Sequence, residues 1–474
     1  MAFDFVSLVS WWELDSHSLA VTLFLRLLGL VYFIAFLDLF VQSKGLWGKN
    51  GILPARDYLA FVKRLGVSRF YYLPTVFWLN SSDFALSLVS VMGMLSAIFL
   101  MAWIEPLLML VLAYIFYLSF KSVGQDFLNF QWDALLLEIG FASVLVFLSG
   151  YSPAGILLLW FILFKFMVMA GLSKVLSGDR TWRELTAMNY HYQTQPLPNP
   201  LSWFAHQFPS FFQKTSVLGM LFIEIVVPFL IFGSPEARLA AFVLLFLLQL
   251  VIILTGNYGP LNLLTIVMSI PILGDSLLLS LPFHPGPAPS PILPIIPDII
   301  AVLLILLNSM HILRPLFRRV PGLNIIGFLE PFEICNSYGL FAVMTTRRFE
   351  IIVEWSDDGR NWNEYRFRWK PQKLAQSPRQ CAPHMPRLDW LMWFLPFSPF
   401  SYNPWFLKFM EKLLQNSPDV LGLLRKGPKD PPRYVRALEY EYTFTDWKTR
   451  SKTGRWWNRR LIGVYCNPVS PLDL

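Results

Sequence analysis

Six polar side chains crowd into a stretch that is otherwise apolar enough for lipid: Gln125, Asp126, Asn129, Gln131, Asp133 and Glu138, within GQDFLNFQWDALLLEIG at 124–140. A carboxylate near the middle of a bilayer costs at least about 2.5 kcal/mol, so such groups face protein or water. Read as one helix, the spacing puts Gln125, Asn129 and Asp133 on one face and Gln131 and Glu138 on another. The chemistry open to such a set is either hydrogen-bonded pairing inside a bundle or a polar lining between helices. Arg26 and Asp38 share the first apolar run, and Glu224 lies in a later one. Arg26 and Asp38 are more than three helical turns apart, so each needs a partner elsewhere. The histidines are scattered with no HExxH, and Cys335, Cys381 and Cys466 do not have zinc-site spacing. No metal or cofactor is expected. Three cysteines allow at most one intrachain disulfide, for which Cys335 and Cys381 are candidates; all three as buried thiols is the alternative. No GxGxxG, Walker A, GxSxG or CxxC motif occurs.

The elements that must position these residues are membrane helices. Of 474 residues, 55% are hydrophobic and only 15% charged, with mean hydropathy +0.49; a soluble chain carries about 25% charged residues. About nine apolar runs are long enough to span, at 18–41, 84–103, 106–120, 134–149, 154–170, 216–232, 237–255, 259–281 and 298–313. The first is too long, and lacks the basic flank, for a cleavable signal. Residues 1–17 read as an amphipathic arm and 282–297 as a proline-rich linker. Long polar loops fill 42–80 and 171–214, and in the second Pro196, Pro198 and Pro200 argue against a helix. Candidate residues in that loop are Asp179, Arg180, Trp182, His191 and Gln195, whose plainest roles are a turn, a surface pair and loop hydrogen bonds.

Residues 1–330 are electrically balanced, so the whole net charge of +8 sits after a boundary near residue 330. The predicted division is 1–17, 18–329 and 330–474. In the last part, runs at 349–355 and 364–369 flank a Ser-Asp-Asp-Gly turn, and 434–444 and 459–466 alternate like strands. Stretches 388–400 and 405–415 read as helical. The expected fold is a polytopic helical bundle followed by a β-sandwich-like domain with a helical insertion. The Arg- and Trp-rich tail reads first as a turn between strands, next as an interfacial or headgroup contact, and only last as a nucleic-acid surface. Loop charge places the N-terminus outside and the C-terminal domain inside.

Several long segments in one order resemble the lipase maturation factor family: NFQWDALLLE from Asn129 to Glu138, GLSKVLSGDRTW, HYQTQPLPNPLSWFAH, EICNSYGLFAVMTTRR, CAPHMPRLDWLMWF and WWNRRLIGVY. The resemblance covers residues 20 to 467. It implies a multi-pass protein of the endoplasmic reticulum membrane in animals, or of the cytoplasmic membrane if bacterial. It also implies a lumen-facing C-terminal domain and a role in folding and dimer assembly of secreted lipases. Partners would be a lipase or similar client and the lipid bilayer. Trp132, Asp133 and Glu138 are then expected to organise the bundle, with Lys174 and the 191–206 segment as neighbours. More distantly, the AGLSK stretch at 170–174 is similar to vitamin K-dependent γ-carboxylase. That likeness implies an alternative: a membrane-embedded enzyme acting on a quinone or lipid-soluble substrate, with Lys174 as base and Asp133, Glu138 and His191 in support. A transporter built on Arg26, Asp38, Asp133, Glu138 and Glu224 ranks third, because no paired broken-helix repeat is visible.

Overall fold

The computed structural model describes residues 16–278, 289–293, 295–315, 317 and 323–473. Most of the predicted N-terminal arm, most of the proline-rich linker, and Arg318 and Arg319 lie outside these residues.

Helix α1 (Ser18–Trp47) runs 30 residues, about 45 Å. That is longer than a hydrocarbon core of about 30 Å, so its last turns reach the C-terminal domain. Helices α2 (Asp83–Met101) and α3 (Pro106–Val123) form a tight pair. Ser82 caps α2 by accepting from the Ala85 N–H, and Pro106 opens α3, where no N–H is needed. The pair α4 (Gln131–Leu148) and α5 (Pro153–Leu176) is built alike, with Ser152 capping α5 through the Gly155 N–H. Short helices α6 (Met188–Thr194) and α7 (Pro200–His206) follow. Here the reading that the prolines exclude a helix is corrected. Pro200 occupies the first turn of α7 and Asn199 caps it, a position where proline favours a helix. Helices α8 (Ser210–Ile225, extended by a 3-10 turn to Phe232) and α9 (Pro235–Thr255) come next, and α11 (Ile296–Leu313) closes the bundle.

Eight described helices are long and apolar enough to span: α1 to α5, α8, α9 and α11. The predicted run at 259–281 breaks up instead. Helix α10 (Leu261–Ser269) passes into a 3-10 turn at Pro271, which cannot donate to a helix ladder. The apolar piece Leu261–Ile272 covers only about 18 Å. It is inside the protein: Leu264, Val267 and Met268 are buried, and so are Asn262, Thr265 and Ser269, which share its one polar face.

In the C-terminal part, β1 (Arg348–Ser356), β2 (Asn363–Glu364), β3 (Tyr434–Phe444) and β4 (Trp457–Val469) form one antiparallel sheet in the order β2-β1-β3-β4. Asp358 shapes the β1–β2 turn by accepting from the Arg360 and Asn361 N–H groups. Strand β2 is shorter than predicted, and beyond it Arg366 forms an isolated bridge to Lys426. Where a sandwich would place a second sheet, the insertion supplies α12 (Arg387–Met392) and α13 (Pro404–Leu414). Trp405, Phe406, Phe409, Met410 and Leu413 on α13 are buried in a core that also contains Leu46 and Trp47 of α1.

Polar grips fasten this part to the bundle. Arg348 donates to the Gln193, Gln195 and Pro196 carbonyls, while Glu350 pairs with both Arg348 and Lys370. Asn257 donates to Arg379 O and accepts from the Cys381 and Ala382 N–H groups. Phe409→Ala should lower stability by about 3–5 kcal/mol, against under about 1 kcal/mol for Leu407→Ala at a 37% exposed position. Thermal unfolding of the detergent-solubilised protein measures both.

Candidate functional site

The polar residues of 124–140 separate into two buried clusters. Gln125–Leu128 is a 3-10 turn with Gln125 at positive φ, and α4 starts only at Gln131. The predicted shared face of Gln125, Asn129 and Asp133 is therefore not realised. Gln125 donates to Leu53 O at 3.3 Å. Asp133, in the first turn of α4 and fully buried, is held in a bidentate pair by Arg387 of α12 at 2.8 and 3.1 Å. Tyr117 of α3 donates to the same carboxylate at 2.5 Å, and Arg387 donates to Phe127 O at 2.8 Å. The guanidinium lies 4.9 Å from the Trp132 ring centre. Burial works against the Arg387 charge, but the Asp133 carboxylate outweighs it and holds the guanidinium more firmly protonated than usual.

Glu138, two turns along α4, forms the second cluster. It pairs with Lys165 of α5 at 2.6 Å and accepts from the Tyr338 hydroxyl. Lys165 also donates to Asn308 Oδ1 of α11 at 2.6 Å and to Asn336 O at 2.8 Å. Gln131 meets the same segment, exchanging hydrogen bonds with the Gly339 backbone. Gln131 and Glu138 thus do share a face, and it is turned toward 336–339.

Lys174 is not a neighbour of either cluster, which corrects that expectation. Its ammonium is buried against Glu224 of α8 at 2.8 and 2.9 Å and donates to Ala170 O at 3.0 Å. All three N–H groups are engaged, whereas a base needs a free lone pair. Asp38 meets His384 and accepts from the Met385 N–H, and next to it Gln42 accepts from the Arg387 N–H. Its partners therefore belong to the C-terminal part and not to another span. Arg26 lies 5.4 Å from the Trp103 ring centre.

Asp179 accepts from the Thr181 and Met344 N–H groups, Arg180 pairs on the surface with Glu184, and buried Trp182 donates to Phe341 O. His191 and Gln195 both meet the Tyr258 hydroxyl, at 3.0 and 2.9 Å. Cys335, Cys381 and Cys466 are free, buried thiols, so the Cys335–Cys381 bridge is not formed. Burial pushes the Cys335 thiol up to about 12 and Cys466 up to about 11, which leaves them inert as nucleophiles.

Between the bundle and the C-terminal part lies a cleft of about 530 Å³, lined by Asn129, Gln131, Trp132, Val343, Trp390, Trp393 and Phe397. The Trp132 indole N–H is buried with no hydrogen-bond partner among the described residues. Lys165, Arg387, Asn308 and Tyr338 were not singled out from the sequence. Lys165 carried a signal, since a lone lysine in mid-span needs a carboxylate. Arg387 carried none, because an arginine in a polar domain reads as surface.

Comparison with known proteins covers both parts of the chain. The profile described as Lipase maturation factor transmembrane domain matches residues 19–280, and that described as Lipase maturation factor C-terminal domain matches 334–467. The chain is 34% identical to Lipase maturation factor 1 of Bos taurus, across 95% of this chain and 89% of the bovine one. It is 33% identical to Lipase maturation factor 1 of Homo sapiens, across 95% and 88%. With Lipase maturation factor 2 of Gallus gallus the identity is 31%, across 95% and 81%. No solved structure matches.

Removing one partner of a buried pair leaves the other charge uncompensated. Arg387→Met should therefore destabilise by about 3–5 kcal/mol, and Asp133→Leu in the same chain should recover most of it; a double-mutant thermal cycle reads this. Burial, with the Lys174 charge beside it, pushes His191 down to about 4, and burial does the same to His206. Both imidazoles stay neutral in the fold while the unfolded chain binds protons near 6.5. Stability should thus be complete above pH 6.5 and fall as pH drops toward 4. His191→Gln should flatten that fall in a pH series of melting temperatures.

Proposed function

Since the chain belongs to the lipase maturation factor family, we propose that it is a membrane-bound maturation factor that helps exported lipases, or clients of similar build, to fold and assemble as dimers. The observation that carries this reading is the match through both parts of the chain, which includes both ends of the Asp133–Arg387 pair. The multi-pass bundle anchors the factor in the membrane, that of the endoplasmic reticulum in a eukaryotic cell or the cytoplasmic membrane in a bacterium. With the eight described candidate spans all crossing, the chain returns to its starting side, and in this reading the C-terminal part and residue 17 share one face, the lumenal or exported one where the client folds. The aromatic cleft is the client's seat. Its tryptophan and phenylalanine walls suit an apolar segment not yet buried in the client's own core, and the Trp132 N–H suits a backbone carbonyl of that segment.

The carboxylase-like alternative asks for Lys174 to act on a substrate, and its Nζ is already engaged by the Glu224 carboxylate. For transport, Asp133, Glu138 and Glu224 are each already matched to a fixed cation.

Deleting the gene should abolish secreted lipase activity while lipase mRNA and synthesis stay level, and reintroducing the wild-type chain should restore it. Unchanged lipase activity in the deletion would remove the client reading. Val343→Glu, at a 69% exposed position on the cleft wall, should cut co-purification of the client severalfold with the melting temperature unchanged.

A further inference from the structure

A second cavity, of about 160 Å³, is walled by residues of α5, α6, α8, α9 and α10. Its inner end is polar. The Lys174–Glu224 pair, the His191–Tyr258 contact at 3.0 Å and the Asn262–Gln249 hydrogen bond at 2.6 Å converge there. Its outer rim includes Ser216 of α8 and Val251 of α9, both exposed. They lie among Leu218, Phe222, Leu247 and Leu254, large apolar side chains that are also exposed. Helices α8 and α9 are spans with only 28% and 22% of their apolar windows buried by protein. An exposed apolar face on a span meets lipid, so the cavity opens sideways into the bilayer.

Two features restrict what can enter. The single cation in the lining is cancelled by the single carboxylate, so a charged head would find no counter-charge and would lose its own hydration. Asn262, 3% exposed, donates to Gln249 but leaves its Oδ1 buried without a partner among the described residues. An orphan acceptor at the inner end of a cavity open to lipid asks for a hydroxyl or N–H that the bilayer core does not provide as water. Size restricts the ligand too. An apolar cavity of roughly 150 Å³ holds a group about as large as benzene. The head and first carbons of a lipid fit inside, and the rest of the chain is left in the bilayer between α8 and α9.

We propose that this cavity is a binding site for an uncharged, hydroxyl-bearing single-chain lipid, a monoacylglycerol or a long-chain alcohol, whose hydroxyl donates to Asn262 Oδ1 while its chain leaves between Ser216 and Val251. The site is independent of the client cleft and of the maturation reading. It gives the protein a way to retain a neutral lipid at the flank of its bundle.

The test uses the full chain in nanodiscs and a monoacylglycerol with a photoreactive group in its acyl chain. Crosslinks should map to peptides of α5, α8 and α9. Unlabelled monoolein or oleyl alcohol should compete about tenfold better than oleate or hexadecane, the discrimination that one hydrogen bond to a buried acceptor supplies; comparing the first two identifies the preferred source of the hydroxyl. Ser216→Trp, at an exposed position that does not threaten the fold, should abolish the crosslink. Asn262→Leu should keep labelling but lose the preference for hydroxyl competitors. Equal competition by hexadecane, or undiminished labelling of Ser216→Trp, would overturn the site and leave only an annular lipid groove.

Discussion

The Asp133–Arg387 pair is the constraint on which the rest of the structure depends. It joins the first turn of a membrane helix to a short helix in the last third of the chain, with both side chains fully buried. Two desolvated charges are worth little as net stability, since an apolar pair of the same shape can match them. What they fix is geometry. A bidentate guanidinium accepts one orientation of the carboxylate, and Tyr117, Phe127 O and Trp132 complete its surroundings from α3 and α4. The C-terminal part therefore has one way to sit on the bundle.

The same device recurs along the seam. Asp38 and Gln42 at the far end of α1 engage 384–387, Asn257 engages 379–382, and Arg348 gathers the carbonyls around Gln195. Each uses a side chain on one part to satisfy backbone groups on the other, so sliding one past the other would strand several buried donors at once. The apolar core is continuous through the seam as well, with α13 packed on the same cluster as α1. The aromatic cleft thus lies between two parts that are locked together.

Glu138–Lys165 and Lys174–Glu224 play the corresponding part within the bundle. Each neutralises an ion that a bilayer would not tolerate alone, and each ties two or more helices together. Around Glu138 the tie extends to Tyr338 and Asn336, just past the last span, so the start of the C-terminal part is anchored to mid-bundle. Around Lys174 the polar groups of the described residues are satisfied with one exception, the Asn262 Oδ1 at the inner end of the cavity.

Much was legible in the residues themselves. Apolar run length placed eight of its nine expected spans, because a helix that crosses hydrocarbon must be apolar over about 20 residues whatever it packs against. The shift in charge near residue 330 and the alternation at 349–355 and 434–444 announced a strand-bearing last third, and the polar residues of 124–140 announced buried ties. Tertiary structure alone decided the partners. Periodicity records which face a residue is on, but the choice of Arg387 for Asp133, 254 positions away, depends on how two distant segments pack. The run at 259–281 shows the same limit: an apolar stretch reads alike whether lipid or protein surrounds it, and only packing revealed α10 as an interior helix. The layer facing the sheet became helices for an equally non-local reason, since the insertion covers its apolar face before a second sheet is needed. Lys174 was legible as a polar residue at a helix end, but its partner Glu224, 50 residues further on, was not.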